Sequence, residues 1–432
     1  MAILLAIIVS IACYQQAQRS LYGRFVGEAL DKIHQRALEE VPREQLFAAA
    51  VRAMTDELDE YSGFVPRQDA AKYREDLDQH FVGIGVELHV DPETSELRLG
   101  NTIIGRPHPA WDAGLRPGDR IVAIGGKDAL QWTADDAARA IRGPAGVPVE
   151  ITVRREGETE PIHVTVVRSE IDVDSVLGDY RGDDKQWVYR LRSDPRIAYV
   201  RLRTFGDQTV GELRTVLTDL KRQGELNALI VDVRDNAGGY LKAAVEICDM
   251  FVDRGVIVTT RGRDGAIKDT YSAKAEGTFL GFPMVVLVNR ESASASEIFA
   301  ACLQDQDRAK LIGARSWGKG SVQEMISVEG GESILKLTTS SFWRPSEKNI
   351  HRLKDAEESH EWGVQPDEAF RIEATEESEK QRREARQAID RFDPGKPPPE
   401  AAQTLDYDPA LQRAVEYLKQ QLDAANTARR AA

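Results

Sequence analysis

The chain is poor in the residues that hold metals or cross-links. Three cysteines, Cys13, Cys248 and Cys302, occur in 432 residues, and none forms a CxxC pair. That count excludes a disulfide scaffold and leaves the compartment open. Cys248 and Cys302 sit in apolar helical stretches and are expected as buried thiols. Seven histidines show neither HExxH nor another paired spacing, so no metal site and no cofactor are expected. There is no basic stripe. Net charge is −14, with acid spread along the chain, which argues against a nucleic-acid partner. The apolar run Ala2–Tyr14 carries no charge, yet it is too short for a transmembrane helix of about twenty residues. It suits the apolar part of a secretory signal or signal-anchor. The expectation is an exported, periplasmic or cell-envelope protein, anchored to a membrane by its N-terminal segment. The alternative is a buried first helix, although such a helix normally carries a polar face.

What is present exceeds one compact core, so two or three domains are expected. Residues 1–19 are the signal or anchor segment. Residues 20–78 read helical, with Leu30, Ile33, Leu38, Leu46, Val51, Met54 and Leu58 at three- and four-residue steps. Residues 79–170 change to period two. Val86–Val90 and Val149–Val153 alternate as strands, and Ala113–Asp119 is a turn. Thr133 with Asp136 three places on starts the one prominent helix, which stops at Gly143-Pro144. Residues 171–372 alternate near-continuous apolar strands (Ile197–Leu202, Ala228–Val233, Met284–Val288) with helices over 210–223, 240–251 and 294–303. That pattern indicates an α/β layer structure. Residues 373–432 combine charge-dense helix, a proline-rich linker at 393–399 and a last amphipathic helix. A solvated tail and a dimer contact are both open for this region, and a homo-oligomer is allowed.

Two segments carry chemistry. Ser294 follows a buried strand and a short turn at an expected helix start. There the free amide of Ala295 and the positive dipole end could hold an oxyanion. The glycine pair of Asp232-Val233-Arg234-Asp235-Asn236-Ala237-Gly238-Gly239 follows another strand and offers a second donor. Serine at a helix start also serves as a cap, and Ser292, Ser294 and Ser296 all qualify. Lys319 lies between two glycines, 25 residues after Ser294. A lysine acts as a base only when neutral, and lowering its pKa from about 10.4 to near 7 costs roughly 4 to 5 kcal/mol. Gln323 can orient a neutral amine without adding charge. Taken singly, Lys319 reads as a surface lysine in a glycine turn.

Together, Ser292-Ala293-Ser294-Ala295-Ser296-Glu297-Ile298 and Gly318-Lys319-Gly320-Ser321-Val322-Gln323 resemble the paired motifs of the carboxy-terminal processing peptidases. Leu58-Asp59-Glu60-Tyr61-Ser62 and Gly363-Val364-Gln365-Pro366-Asp367 are similar to flanking motifs of that family. The resemblance implies Ser294 as nucleophile, Lys319 as general base and Gln323 as the residue that positions it. It also implies Gly239 and Ala295 as oxyanion donors, on a crotonase/ClpP-like peptidase core. Ser346–Trp362 is longer and more charged than the family pattern, which bears on the edge of the substrate groove.

Phe81-Val82-Gly83-Ile84-Gly85-Val86 resembles the carboxylate-binding loop of PDZ domains. The amides around Gly83, Ile84, Gly85 and Val86 would converge on a terminal carboxylate, beside a strand able to pair with an extended peptide. The fold expected is therefore multidomain α/β: a peptidase core with an inserted, mostly-β PDZ domain and helical segments at both ends. The activity expected is a serine endopeptidase acting on protein or peptide substrates with accessible C-termini. A PDZ-based adaptor with an inactive peptidase domain is the alternative. A different acyl-transfer enzyme on the same core is a third reading, disfavoured by the PDZ unit.

Overall fold

The computed structural model describes residues 21–431 apart from positions 79, 93, 103, 104, 107, 183, 185, 225, 358 and 391–406. The expected signal or anchor segment, Cys13 and the proline-rich linker lie outside the described residues. Among those described, no helix is long and apolar enough to cross a membrane.

The chain divides into two compact units. The smaller contains residues up to Ala71 together with Gln323–Thr339. Its helices Leu21–Arg36 and Arg43–Asp56 follow the three- and four-residue apolar steps. The motif at Leu58–Ser62 breaks the helical pattern. The strand Gly63–Val65 then pairs antiparallel with Ile334–Lys336, and Phe64 is buried edge-on to Phe47.

The larger unit holds two cores. The first is built on β1 (Val86–Val90), β2 (Leu97–Thr102), β3 (Arg120–Ile124), α1 (Ala134–Ile141), β4 (Pro148–Arg154) and β5 (Ile162–Val167). The strands pair antiparallel in the order β1-β2-β3-β4-β5. Alternation puts Val149, Ile151 and Val153 inside with Ile121, Ile124 and Ile141. The start of α1 is the expected capping box. The Asp136 amide donates to Thr133 Oγ1 and the Thr133 amide to Asp136 Oδ2, both at 3.1 Å.

The second core is a parallel sheet. It contains β6 (Asp194–Leu202), α2 (Asp207–Arg222), β7 (Ala228–Asp232), α3 (Leu241–Asp249), β8 (Met284–Val288), α4 (Ala295–Asp305) and β9 (Lys310–Gly313). β6, β7, β8 and β9 are adjacent and parallel. All five residues of β7 and of β8 are buried, because helices cover both faces. Leu213, Leu217, Ile247, Cys248, Phe299 and Cys302 pack on one face. Both cysteines are free buried thiols, as their apolar surroundings predict.

The other face excludes a solvated tail, one of the two readings left open for the C-terminus. Helices α5 (Glu376–Asp390) and α6 (Pro409–Ala431) close the chain. Leu411, Ala414, Val415 and Leu418 of α6 pack on Tyr199, Ile230, Val285 and Leu287. Each buried leucine there contributes about 2 kcal/mol by transfer alone. Charge density misled because two arginines of α5 turn inward. Arg382 pairs with Asp235 and Glu379, and Arg386 with Asp179.

Candidate active site

Parallel strands that end at one edge bring the following loops together. Three such loops leave β7, β8 and β9: residues 233–239, 289–294 and 314–320. They carry Gly239, Ser294 and Lys319.

Ser294 is the N-cap of α4, with φ 55° and ψ −114°. This backbone region is sparsely populated for a residue with a Cβ, and holding it costs on the order of 1–3 kcal/mol. The two neighbouring serines have structural duties. Ser292 Oγ donates to the Val233 carbonyl at 2.8 Å, and Ser296 Oγ to the Asn236 carbonyl at 2.9 Å. Both are fully buried, whereas Ser294 is half-buried. Of the three candidates, geometry therefore separates Ser294 as the reachable one.

The residue that sequence reasoning missed is Glu297. It is fully buried one turn into α4. One carboxylate oxygen, Oε2, accepts the amides of Ser294 at 2.9 Å and Lys319 at 2.8 Å. The other, Oε1, accepts the Gly318 amide at 2.7 Å and the Ser316 hydroxyl at 2.5 Å. A single side chain thus ties the serine elbow to the lysine loop. Burial pushes Glu297 up to about 7, against the lowering effect of the Ser316 hydroxyl and the Gly318, Lys319 and Ser294 amides. The available signal was its position three residues after Ser294, which is the reach of a capping box. Its contacts with Ser316, Gly318 and Lys319 could not be read from that spacing. Two more bonds fix the lysine loop: the Trp317 amide donates to the Ser292 carbonyl at 2.9 Å, and the Ser316 amide to the Val364 carbonyl at 3.0 Å.

The glycine pair divides its duties. A Cβ on Gly238 would stand 2.8 Å from Ser294 Cβ, so only glycine lets this loop approach the serine. The Gly238 amide is spent on Asn236 Oδ1 at 2.9 Å. Gly239 pairs beside Phe205, and its φ of 148° again favours glycine. The amides of Gly239 and Ala295 donate to no protein acceptor among the described residues.

The long segment Ser346–Trp362 fastens onto the lysine loop. The Arg352 amide donates to the Gly318 carbonyl at 2.8 Å, and the Arg315 and Arg352 guanidiniums each stand 4.5 Å from the Trp362 ring centroid. Gln323 belongs to the smaller unit, where its amide nitrogen donates to Thr338 Oγ1 at 3.1 Å.

In the first core, Phe81–Gly83 is the end of a strand paired with Ser169–Ile171, and the turn proper is Ile84-Gly85. Gly85 has φ 73° and Ile84 fills the core. β1 follows directly, packs against α1, and is paired on one side by β2 among the described residues. Arg116 is stacked 3.8 Å from the Trp111 ring centroid and donates to the Trp111 and Leu115 carbonyls.

Comparison with known proteins places the chain among its relatives. A family model described as Peptidase family S41 matches residues 196–370, and one described as PDZ domain matches 108–155. A carboxy-terminal-processing protease of Bartonella bacilliformis is 32% identical over 330 residues, 76% of this chain and 72% of that protein. A carboxyl-terminal-processing protease of Synechocystis sp. is 33% identical over 286 residues, covering 66% of this chain and 62% of that one. Among solved structures, a photosystem II D1 C-terminal processing protease is 26% identical, with 82% of this chain and 94% of that chain covered and a TM-score of 0.45. The chain spans 72% and 62% of the lengths of these two sequence relatives.

Proposed function

This chain belongs to the carboxy-terminal-processing proteases of peptidase family S41, a family of serine-type peptidases, and from that premise we propose that it cleaves proteins near their C-termini with Ser294, Lys319 and Gln323. The observation that carries the proposal is the strained Ser294 elbow, bound through Glu297 to the amide of Lys319. The Ser294 hydroxyl attacks the scissile carbonyl and Lys319 takes its proton. The tetrahedral oxyanion is held by the Gly239 and Ala295 amides. Lys319 then returns the proton to the leaving amine, and water resolves the acyl-enzyme. Gln323 orients the Lys319 amine.

Substrate enters through the PDZ domain. An extended C-terminal tail adds to the free edge of β1 beside α1, and its carboxylate sits at the Gly83-Ile84-Gly85-Val86 turn. The apolar run Ala2–Tyr14 supports a place at the cell envelope, anchored to the membrane. Fractionation that left the protein in the cytosol would remove this part.

Mass spectrometry of products from a protein with a varied C-terminal tail tests the reaction. Wild type is expected to release fragments near the tail, while Ser294→Ala and Lys319→Ala, folded as judged by circular dichroism, release none. Full activity in either variant defeats the assignment. The adaptor alternative requires tail binding by wild type with no product at any pH.

A further inference from the structure

Gln323 is useful to a lysine only if its amide points one way. An amide presents a carbonyl oxygen that accepts and a nitrogen that donates. An amino or ammonium donor needs the oxygen. Left alone, the side chain could turn by half a revolution and present the wrong end.

The smaller unit contains a chain of hydrogen bonds that decides between the two. Gln323 Nε2 donates to Thr338 Oγ1 at 3.1 Å, and Thr338 Oγ1 donates to Asp59 Oδ1 at 3.0 Å. The Asp59 carboxylate stands at the end, and when ionised it can only accept. It also accepts the amides of Tyr61 and Ser62 on Oδ1 and the Ser62 hydroxyl on Oδ2. Ser62 Oγ in turn accepts the Thr338 amide at 3.1 Å. Every bond therefore runs towards Asp59. Burial acts to raise the Asp59 pKa, but the hydrogen bonds from Ser62, the Tyr61 and Ser62 amides and Thr338 outweigh it and hold the group below its ordinary value.

We propose that Asp59 is a positioning residue which, through Thr338, fixes the orientation of the Gln323 amide, with its oxygen as the accepting end. An acceptor-only terminus forces the Thr338 hydroxyl to donate to it. The threonine lone pair then takes the Gln323 nitrogen, and the Gln323 oxygen is the end turned towards a donor such as a lysine amine. The role of the Leu58–Ser62 loop is thus to set the polarity of a residue far from it in sequence. The inference rests on the reading that Gln323 serves Lys319 as its orienting partner.

The test uses the full-length protein with Asp59→Asn, Thr338→Val and Thr338→Ser, measuring kcat, KM and the pH profile of kcat/KM on one tail peptide. Asn at 59 can donate as well as accept, so the chain loses its direction. Val at 338 keeps the shape and removes the relay. Both are expected to lower kcat by about 10- to 50-fold, with KM changed less than about 2-fold, since orientation of the base and not binding is lost. Both should also move the acidic limb of the profile to lower pH, because a base that loses an acceptor is less easily protonated. Thr338→Ser, which retains the hydroxyl, should recover kcat to within about 3-fold of wild type, as the relay needs only the oxygen. A wild-type limb position in both Asp59→Asn and Thr338→Val overturns the proposal, whether or not activity falls with folded fraction. In that case inactivity of Ser294→Ala and Lys319→Ala would still stand, and the reading of the active site with it. Activity in Lys319→Ala would remove both.

Discussion

Two carboxylates organise the residues singled out by sequence, and they do so under opposite conditions. Glu297 is fully buried and accepts from three amides and a hydroxyl. Asp59 is half-buried and accepts from two amides and two hydroxyls. The donor sets are nearly the same. Burial pushes Glu297 up to about 7, while Asp59 is held below its ordinary value. The difference teaches that four donors do not by themselves keep a carboxylate ionised. In this pair, where no cation stands beside either group among the described residues, loss of water sets the sign for Glu297 and the hydrogen bonds set it for Asp59.

The largest expected effect comes from breaking the buried member. Glu297→Gln keeps the shape but adds two hydrogens into a site where every neighbour is a donor. Peptidase activity should fall by at least about 100-fold, with a stability loss of about 2–4 kcal/mol as donors go unmatched. Steady-state kinetics and urea unfolding check both. A variant within about 3-fold of wild type would mean that the clamp is dispensable.

The next effect is in the pH dependence, and the two groups pull in opposite directions. The Glu297 pKa rises on folding, from 4.5 to about 7. The folded state then holds more protons between those values, so its contribution to stability falls as pH rises from about 4.5 to 7 and is level above. The size is on the order of 3 kcal/mol. The Asp59 pKa falls on folding, so its contribution is present above 3.8 and is lost as pH drops through the lower folded value. Urea midpoints for wild type and Glu297→Gln, taken across pH 4 to 8, separate the two. The downward slope above about 4.5 should be absent from the variant.

The smallest effect is Asp59→Ala, about 1 kcal/mol of stability, because water can replace part of what the half-buried carboxylate does. Thermal unfolding measures it. A loss as large as that of Glu297→Gln would erase the contrast between the two sites.

These contrasts also mark where sequence reading reached and where it stopped. The alternation of Val149, Ile151 and Val153 and the Thr133 capping box were legible because the information is local. So were the all-apolar strands β7 and β8, whose burial on both faces leaves a continuous signal. The antiparallel strands Val256–Arg261 and Ile267–Ser272 were not, since the second shows almost entirely exposed side chains and carries no alternation. Glu297 was visible only as a helix-start acid, because its other partners lie 19 to 22 residues further along the chain. The inward turn of Arg382 and Arg386 was not legible for the same reason: their partners, Asp235 and Asp179, lie 147 and 207 positions away.

The far end of the chain has a temporal meaning as well. Arg234 stands at the start of the glycine loop, is almost fully buried, and is paired with both Asp232 and Asp408. Asp408 is synthesised well after Ser294 and Lys319. Until it arrives, half of the charge balance beneath the glycine loop is missing, and a buried arginine without its full complement is strongly disfavoured. A growing chain therefore carries its serine and lysine long before it can hold them in place. Translation order itself delays the birth of a cutting edge until Asp408 has been made, and a chain ended before Asp408 should show this as product without peptidase activity.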